Sequence, residues 1–375
     1  MRVLLVSANR EHLPDPIFPL GLAYIAAAVT AAGHEIDVAD LCFGSKPLDD
    51  LRSQLARFQP DVIGLSLRNV DNAAYPLTVD YLALHREVVD ALHAVSSAPV
   101  VLGGSGFSIL PQAYMHELDG DWGIAGEGER AFVALLQALQ QGLDPSSIPG
   151  VVSAEAGIAP STGISIKPQR PTYWAEGLRP LRAPFDYARY IRRGGTGNIQ
   201  TKRGCVFKCS YCTYPLLEGN RFRARDAVDI VDEIEDLQHE YGPHPVFFVD
   251  SILNFPGGHV EAICEEILSR CIDLRWSCYA TPVKLDRHQA QLMARAGCEG
   301  IELGTDAVDD EQLARRGKSF DSEVAERANS NCMEAGLRVC QTIIFGAPGE
   351  TESSVRTTCD ALRKMNPTAV VAMTG

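Results

Sequence analysis

Along residues 1–142, short continuous apolar runs alternate with longer stretches whose apolar positions recur at helical spacing. Val3-Leu4-Leu5-Val6 is apolar throughout, the pattern of a strand covered on both faces. A loop with Pro14, Pro16 and Pro19 follows, and the spacing then predicts a helix over Gly21–Ala32 stopped by Gly33. Next come strand His34–Val38, helix Leu48–Phe58, strand Asp61–Leu67, helix Val79–Val95, strand Pro99–Gly104, strand Trp122–Ala125 and helix Glu129–Gln141. This alternation predicts an α/β domain built on a doubly wound parallel sheet. Such sheets bind ligands outside the carboxyl ends of their strands, at a switch point in strand order.

Residues 143–193 break the rhythm. Pro145, Pro149, Pro160, Pro168, Pro171, Pro180 and Pro184 mark a linker, with Val151-Val152 at most a small strand. From residue 194 a second alternation begins with strand Asn198–Lys202, helix Ala227–Tyr241, strand Val246–Ser251, helix Val260–Cys271 and strand Leu274–Ala280. It continues with helix Asp286–Ala296, strand Gly300–Asp306, helix Ser322–Ala335, strand Val339–Phe345, helix Thr351–Met365 and strand Thr368–Met373. In Gly300–Asp306 the period of two puts Glu302, Gly304 and Asp306 on one face, opposite Ile301 and Leu303. Carboxylates facing a barrel interior are costly unless they bind something.

Composition narrows the function classes. Net charge of −14 argues against a sequence-independent grip on nucleic acid, whose phosphates demand a basic face. Hydrophobic content of 46% and charged content of 22% describe an ordinary globular chain. No apolar run is long enough for a bilayer span, and none resembles an export signal. Most of the eleven cysteines lack paired spacing and read as reduced thiols in a cytoplasmic protein; Cys264, Cys271, Cys278, Cys298, Cys332, Cys340 and Cys359 read as buried small hydrophobes.

Chemistry concentrates in Lys202-Arg203-Gly204-Cys205-Val206-Phe207-Lys208-Cys209-Ser210-Tyr211-Cys212. The spacing is C-x3-C-x2-C, with no fourth cysteine or histidine nearby. A closed zinc site needs four ligands. Three thiolates in one loop suit three corners of an iron–sulfur cube, with the fourth iron open. Three unrelated thiols, or a zinc site that borrows a distant ligand, are the bland alternatives. Gly204 lets the chain turn into the loop, and Lys202, Arg203 and Lys208 set positive charge beside the thiolates.

The stretch resembles the radical S-adenosylmethionine (SAM) superfamily. The resemblance implies that Cys205, Cys209 and Cys212 hold a [4Fe-4S] cluster whose open iron chelates SAM, and that Tyr211 shields it near the adenine. It further implies that Asp250 and Ser251 meet the SAM amino group, and that Asp306, matching the glutamate of a G-I-E-S element, bonds the ribose or substrate. Gly346-Ala347-Pro348-Gly349-Glu350-Thr351 resembles the family's G-x-P-G-E-T turn, beside which the backbone near Ile344 contacts adenine. The implied fold for 194–375 is a partial (β/α)6 TIM-type barrel, apparently lacking its C-terminal end, so a truncated or split chain is expected.

The preceding domain resembles the cobalamin-binding domain of cobalamin (B12)-dependent radical SAM proteins. Pro19-Leu20-Gly21-Leu22, Gly103-Gly104 and Gly126-Glu127-Gly128-Glu129 carry the likeness, while structural turns are the alternative for these glycines. No G-x-G-x-x-G follows the first strand, which speaks against a dinucleotide. The D-x-H-x-x-G motif that supplies an axial histidine is absent, so Arg68 or Asn69 is expected to face the lower side of the corrin, unless Arg68 pairs with Asp71. Ser66, Arg68, Asn69, Gly103, Gly104, Gly126 and Glu127 are the candidate cobalamin contacts.

The resemblance implies an enzyme that uses a [4Fe-4S] cluster, SAM and cobalamin. Its expected reaction is methyl transfer to an unactivated carbon by way of a 5′-deoxyadenosyl radical and methylcobalamin. A small-molecule, lipid or peptide substrate and an electron donor such as flavodoxin or ferredoxin are implied with it. A radical cyclase or oxidoreductase using cobalamin as electron acceptor is the alternative, or a non-catalytic cofactor-binding fragment.

Overall fold

The computed structural model describes residues 1–72, 78–153 and 177–374. They form two compact units. The first holds the described residues up to Gly195 with Leu216–Glu218, and the second holds Thr196–Pro215 and the chain from Gly219 onward.

In the first unit the elements run β1 (Arg2–Ser7), α1 (Leu20–Ala31), β2 (Glu35–Asp40), α2 (Pro47–Phe58), β3 (Val62–Ser66), α3 (Leu82–His93) and β4 (Val100–Gly103). Then come α4 (Ser105–Ile109), α5 (Pro111–Leu118), β5 (Trp122–Ile124), α6 (Gly128–Gln140), β6 (Val151–Ser153) and α7 (Tyr187–Arg192). The sheet order is β2-β1-β3-β4-β5-β6, parallel except for β6. Strand order therefore reverses between β1 and β3, which is the switch point of a doubly wound sheet. Leu4, Val6, Ile63, Leu65, Val100 and Leu102 meet Leu51, Leu55, Val88 and Leu92 in a core where none is more than 2% exposed. Burial of each such side chain contributes about 1.5–3 kcal/mol.

The described parts of the expected linker are built into the first unit. Val151–Ser153 pairs with β5 as an antiparallel edge strand, because its apolar run finds an open sheet edge. Residues 178–195 pack into the first unit, where Phe18 meets Phe185, Tyr187 and Tyr190 edge-on and Tyr190 donates to Asp40 at 2.7 Å. Residues 154–176 of that segment, with Pro160, Pro168 and Pro171, lie outside the described residues. Helices α4 and α5 occupy a stretch to which the sequence pattern assigns no element.

The second unit runs β7 (Gly197–Ile199), β8 (Lys202–Arg203), α8 (Tyr214–Leu217), β9 (Arg223–Ala224), α9 (Ala227–Tyr241), β10 (Val246–Phe248), α10 (His259–Ser269) and β11 (Trp276–Ala280). It continues with α11 (Arg287–Arg295), β12 (Cys298–Asp306), α12 (Asp310–Arg315), α13 (Ser322–Glu334), β13 (Arg338–Phe345), α14 (Glu352–Met365) and β14 (Ala369–Thr374). Strands β7, β10, β11, β12, β13 and β14 lie side by side in that order, all parallel, as a partial (β/α)6 barrel requires. Asp226, Asp286, Asp309, Asp321 and Thr351 cap α9, α11, α12, α13 and α14 by accepting backbone N–H bonds. The expected strand Asn198–Lys202 is divided: the chain leaves the sheet after Ile199, and Lys202-Arg203 pairs antiparallel with Arg223-Ala224. No described helix is long and apolar enough to cross a membrane.

Candidate functional site

The β8–β9 ribbon clips together the base of the loop that carries Cys205, Cys209 and Cys212. Gly204 sits at φ +88°, and a Cβ there would stand 2.0 Å from the Arg221 carbonyl oxygen, so only glycine fits. The Cys205 amide donates to the Gly219 carbonyl at 3.1 Å, and the Cys212 amide to that of Cys209 at 3.2 Å. Cys205 is buried, and the other two thiols are half-buried. Burial raises the pKa of Cys205 and Cys212, with repulsion among the three thiols adding to it. Among the described residues, no three His, Cys, Asp or Glu side chains converge tightly enough to grip a single metal ion. Three thiols carried on one loop, raised by burial and needing positive charge to deprotonate them, fit three corners of an iron–sulfur cluster.

The charge beside these thiols differs from expectation. The Lys202 ammonium is buried 3.6 Å from Asp250 and donates to the Leu253 carbonyl at 3.2 Å. Arg203 donates to Gln200 at 3.1 Å, and Lys208 is exposed. Lys318, which the sequence reading passed over, is the cation acting on Cys212.

Asp250 also differs. Its carboxylate is 1% exposed and accepts from the Thr201 amide at 2.8 Å, the Lys202 amide at 2.9 Å and the Thr201 hydroxyl at 2.5 Å. With these three donors and Lys202 as countercharge, it ties the end of β10 to the root of the cluster loop. Thr201 Oγ1 also lies 2.7 Å from His259 Nε2. Its single proton goes to Asp250, so we assign the His259 proton to Nε2. Burial and the Lys202 charge lower the His259 pKa to about 4, which keeps that ring neutral. The Ser251 side chain beside the Cys205 thiol offsets a small part of the rise that burial causes.

The face alternation expected in β12 holds at Ile301 and Leu303, which are 2% and 0% exposed, while Glu302 turns to the other face. Glu302 accepts from Thr342 at 2.9 Å, and no described cation pairs with it. A register shift against β13 separates Leu303 from Asp306, and Asp306 adopts φ +68°, a strained conformation for a non-glycine residue. This aims its carboxylate at Tyr211, whose hydroxyl donates to it, and at the Lys318 ammonium 2.5 Å away. Tyr211 and Asp306, singled out separately in the sequence, are thus one group. Burial and then the Asp306 charge raise the Tyr211 pKa, holding the phenol protonated.

At the end of β13, the Ile344 carbonyl accepts from Arg316 at 2.9 Å. Glu350 accepts from that guanidinium at 3.0 Å and from the Gly346 amide at 2.6 Å, closing the glycine-proline turn on itself. Part of the backbone expected against adenine is therefore occupied by Arg316.

In the first unit, the loops after β3, β4 and β5 interlock. Leu67 donates to Gly103 at 2.8 Å, Gly106 donates to Leu67 at 2.9 Å, and Ser105 Oγ donates to the Arg68 carbonyl at 2.7 Å. Ser108 Oγ accepts from the Gly126 amide at 2.9 Å and donates to Gly104 at 2.7 Å. Gly104 has φ +99°, and a Cβ there would lie 2.6 Å from the Leu67 carbonyl oxygen. At Gly103 the nearest atom to such a Cβ is 3.8 Å away, which leaves a strip of open backbone. Ser66 ends β3 beside Gly103, Glu127 precedes α6, and exposed Arg68 donates to Asn69 at 3.1 Å. The sequence reading missed Asn9 and Arg10. They follow β1 at the switch point, and Asn9 Nδ2 with Arg10 Nε and Nη2 are buried without a partner. Buried N–H donors left open beside bare glycine backbone fit a broad ligand rich in carbonyl acceptors, as the amide-fringed corrin is. Position alone could have flagged them, as the residues just after the first strand of a doubly wound sheet.

The family model for the B12 binding domain matches residues 6–136, and that for the Radical SAM superfamily matches residues 199–362. Tryptophan 2-C-methyltransferase of Streptomyces laurentii is 30% identical, over 98% of this chain and 71% of the relative. An uncharacterized methyltransferase of Pyrococcus horikoshii is 26% identical over 98% of this chain and 78% of its own. The radical SAM methyltransferase TsrM from Kitasatospora setae, solved with cobalamin and a [4Fe-4S] cluster, superposes with a TM-score of 0.85 at 29% identity, covering 100% of this chain and 72% of that one. Its structure with tryptophan substrate and the SAM analogue aza-SAM gives 0.87 at 29% identity, covering 99% and 72%.

Proposed function

The chain belongs to the cobalamin-dependent radical SAM methyltransferases, and on that footing we propose that it places a methyl group on an unactivated carbon of a small molecule. What carries this reading is the pairing in one chain of a seated three-thiol loop with a doubly wound sheet whose loops are lined with glycine backbone. That pairing runs over nearly the whole length shared with the tryptophan enzyme. When bound, the cluster with SAM supplies one-electron chemistry, and cobalamin carries the methyl group.

The chain's own residues bind and orient. Cys205, Cys209 and Cys212 hold the cluster, with Ser251 beside Cys205. Tyr211 and Asp306 present a shared hydroxyl–carboxylate group for the SAM ribose or the substrate. The Ile344 strand end lies against adenine. Ser66, Arg68, Asn69, Gly103, Gly104, Gly126 and Glu127, joined by Asn9 and Arg10, cradle cobalamin, and Arg68 faces its lower side. A flavodoxin or ferredoxin delivers the electron, in the cytoplasm. Tryptophan is the first substrate to assay, because it is named for the relative 30% identical to this chain.

The test is anaerobic reconstitution with iron, sulfide and hydroxocobalamin, followed by turnover with methyl-labelled SAM. Bound cobalamin beside a reducible cluster, and label in a carbon-methylated product, are the expected results. A cluster without cobalamin would sink the assignment of the first unit. Both cofactors bound and reduced, with substrate consumed but no label in product, would favour a cyclase or oxidoreductase.

A further inference from the structure

We propose that Arg316-Gly317-Lys318, the short stretch after α12, is the seat of the cluster loop, and that Lys318 is a positioning residue that tunes the cluster's reduction potential. The inference rests on the reading that Cys205, Cys209 and Cys212 hold a [4Fe-4S] cluster. Three kinds of contact meet there. The backbone contact is the Ser210 amide donating to the Arg316 carbonyl at 3.0 Å, from the middle of the cysteine loop. The steric contact is Gly317, at φ +70°, where a Cβ would stand 2.5 Å from the Lys208 carbonyl oxygen and 3.7 Å from Cys209 Cα. The side-chain contact is Lys318, 7% exposed, which reaches Asp306 at 2.5 Å, the Gly304 carbonyl at 2.9 Å and the Tyr211 hydroxyl at 3.2 Å. Its three ammonium protons are thus matched by three acceptors, and the charge is fixed in place.

A fixed charge beside a cluster has a defined electrical effect. Reduction adds one negative charge to the cluster, and a cation held nearby in a poorly polarisable setting stabilises that state. Asp306 opposes it. Removing the ammonium therefore lowers the potential, and neutralising Asp306 raises it. A loop that had merely loosened does not give shifts of opposite sign.

The experiment compares Lys318→Met, Lys318→Arg, Asp306→Asn and Gly317→Ala with the parent protein, each reconstituted anaerobically. Iron and sulfide per chain are measured, and the midpoint potential is taken from a titration followed by electron paramagnetic resonance without SAM. Lys318→Met is expected to shift to more negative potential, Lys318→Arg to return toward the parent value, and Asp306→Asn to shift positive. Gly317→Ala is expected to retain less than half the parent's iron. Unchanged potentials, or shifts of one sign in Lys318→Met and Asp306→Asn, would overturn the tuning role, and full iron in Gly317→Ala would overturn the seat. If Lys318→Met yields no soluble protein, Lys318→Gln takes its place against Asp306→Asn and Lys318→Arg. A parent chain that takes up no cluster would refute the underlying family reading instead, an outcome separate from these.

Discussion

Asp250→Asn is expected to destabilise the second unit strongly while leaving SAM recognition to other residues. In the folded chain the Asp250 carboxylate faces two backbone N–H groups, the Thr201 hydroxyl and the Lys202 ammonium, with both charged side chains 1% exposed. The asparagine oxygen can still accept the two backbone donors. Its NH2 group would then face the Lys202 ammonium, which cannot accept, and the Thr201 hydroxyl, which would have to give up its own donation to accept. Lys202 would keep the Leu253 carbonyl but lose the buried carboxylate 3.6 Å away. Breaking one side of such a pair costs about 3–5 kcal/mol. With a urea dependence of ~2–3 kcal/mol per molar, the unfolding midpoint falls by roughly 1–2 M. The assay is anaerobic urea unfolding followed by circular dichroism, beside SAM titration of the reconstituted protein. Adding Lys202→Met to Asp250→Asn removes the stranded charge and should recover most of the loss, giving a large coupling energy in the double-mutant cycle. An unfolding midpoint equal to the parent's, together with lost SAM binding, would refute this reasoning and restore Asp250 as a SAM ligand.

Other substitutions follow from the same geometry. Gly204→Ala forces a Cβ to within 2.0 Å of the Arg221 carbonyl oxygen at φ +88°, so iron per chain after reconstitution should fall to near background. Gly104→Ala, crowded 2.6 Å from Leu67 at φ +99°, should weaken cobalamin retention on a desalting column, and exposed Arg68→Ala should do so without lowering the unfolding midpoint. His85 and His259 are both depressed to about 4, chiefly by burial, so each is neutral in the fold while the unfolded chain protonates near 6.5. Their contribution, about 3 kcal/mol each, is complete above pH 6.5 and is lost as pH falls toward 4. Urea unfolding at pH 7 and pH 4.5 checks this, and His259→Gln should roughly halve the difference.

Much of the architecture was legible because both halves announce themselves through period. Buried parallel strands such as Leu4–Val6 and Val100–Leu102 are apolar without interruption, and helices between them carry Asp or Thr caps and glycine stops at Gly33, Gly297 and Gly336. The three cysteines were legible because spacing within one loop is local. What failed was non-local. Asp250 looks like a free carboxylate at a strand end, and only the fold brings Thr201 and Lys202 around it. Lys318 lies in an unremarkable polar stretch, and its meaning depends on β12 bending at Asp306. The segment 178–195 is rich in proline, arginine and tyrosine, which reads as linker until Phe18 supplies a surface for its aromatic side chains.

The seating of the cysteine loop also imposes an order of events as the chain is made. Strands β7 to β14 each pair with a neighbour that has already emerged, so the second sheet can grow strand by strand from its first member. The three thiols appear early in that sequence. Their support does not, because Lys318 follows Tyr211 by 107 positions in the chain. For the interval in which β10, β11 and β12 are being laid down, the loop has its β8–β9 clip but nothing beneath it. Metal offered then would meet unplaced thiols, open to oxidation or to mispairing with any soft ion at hand. Cluster delivery that follows completion of α12 meets a loop already seated on Arg316 and Gly317.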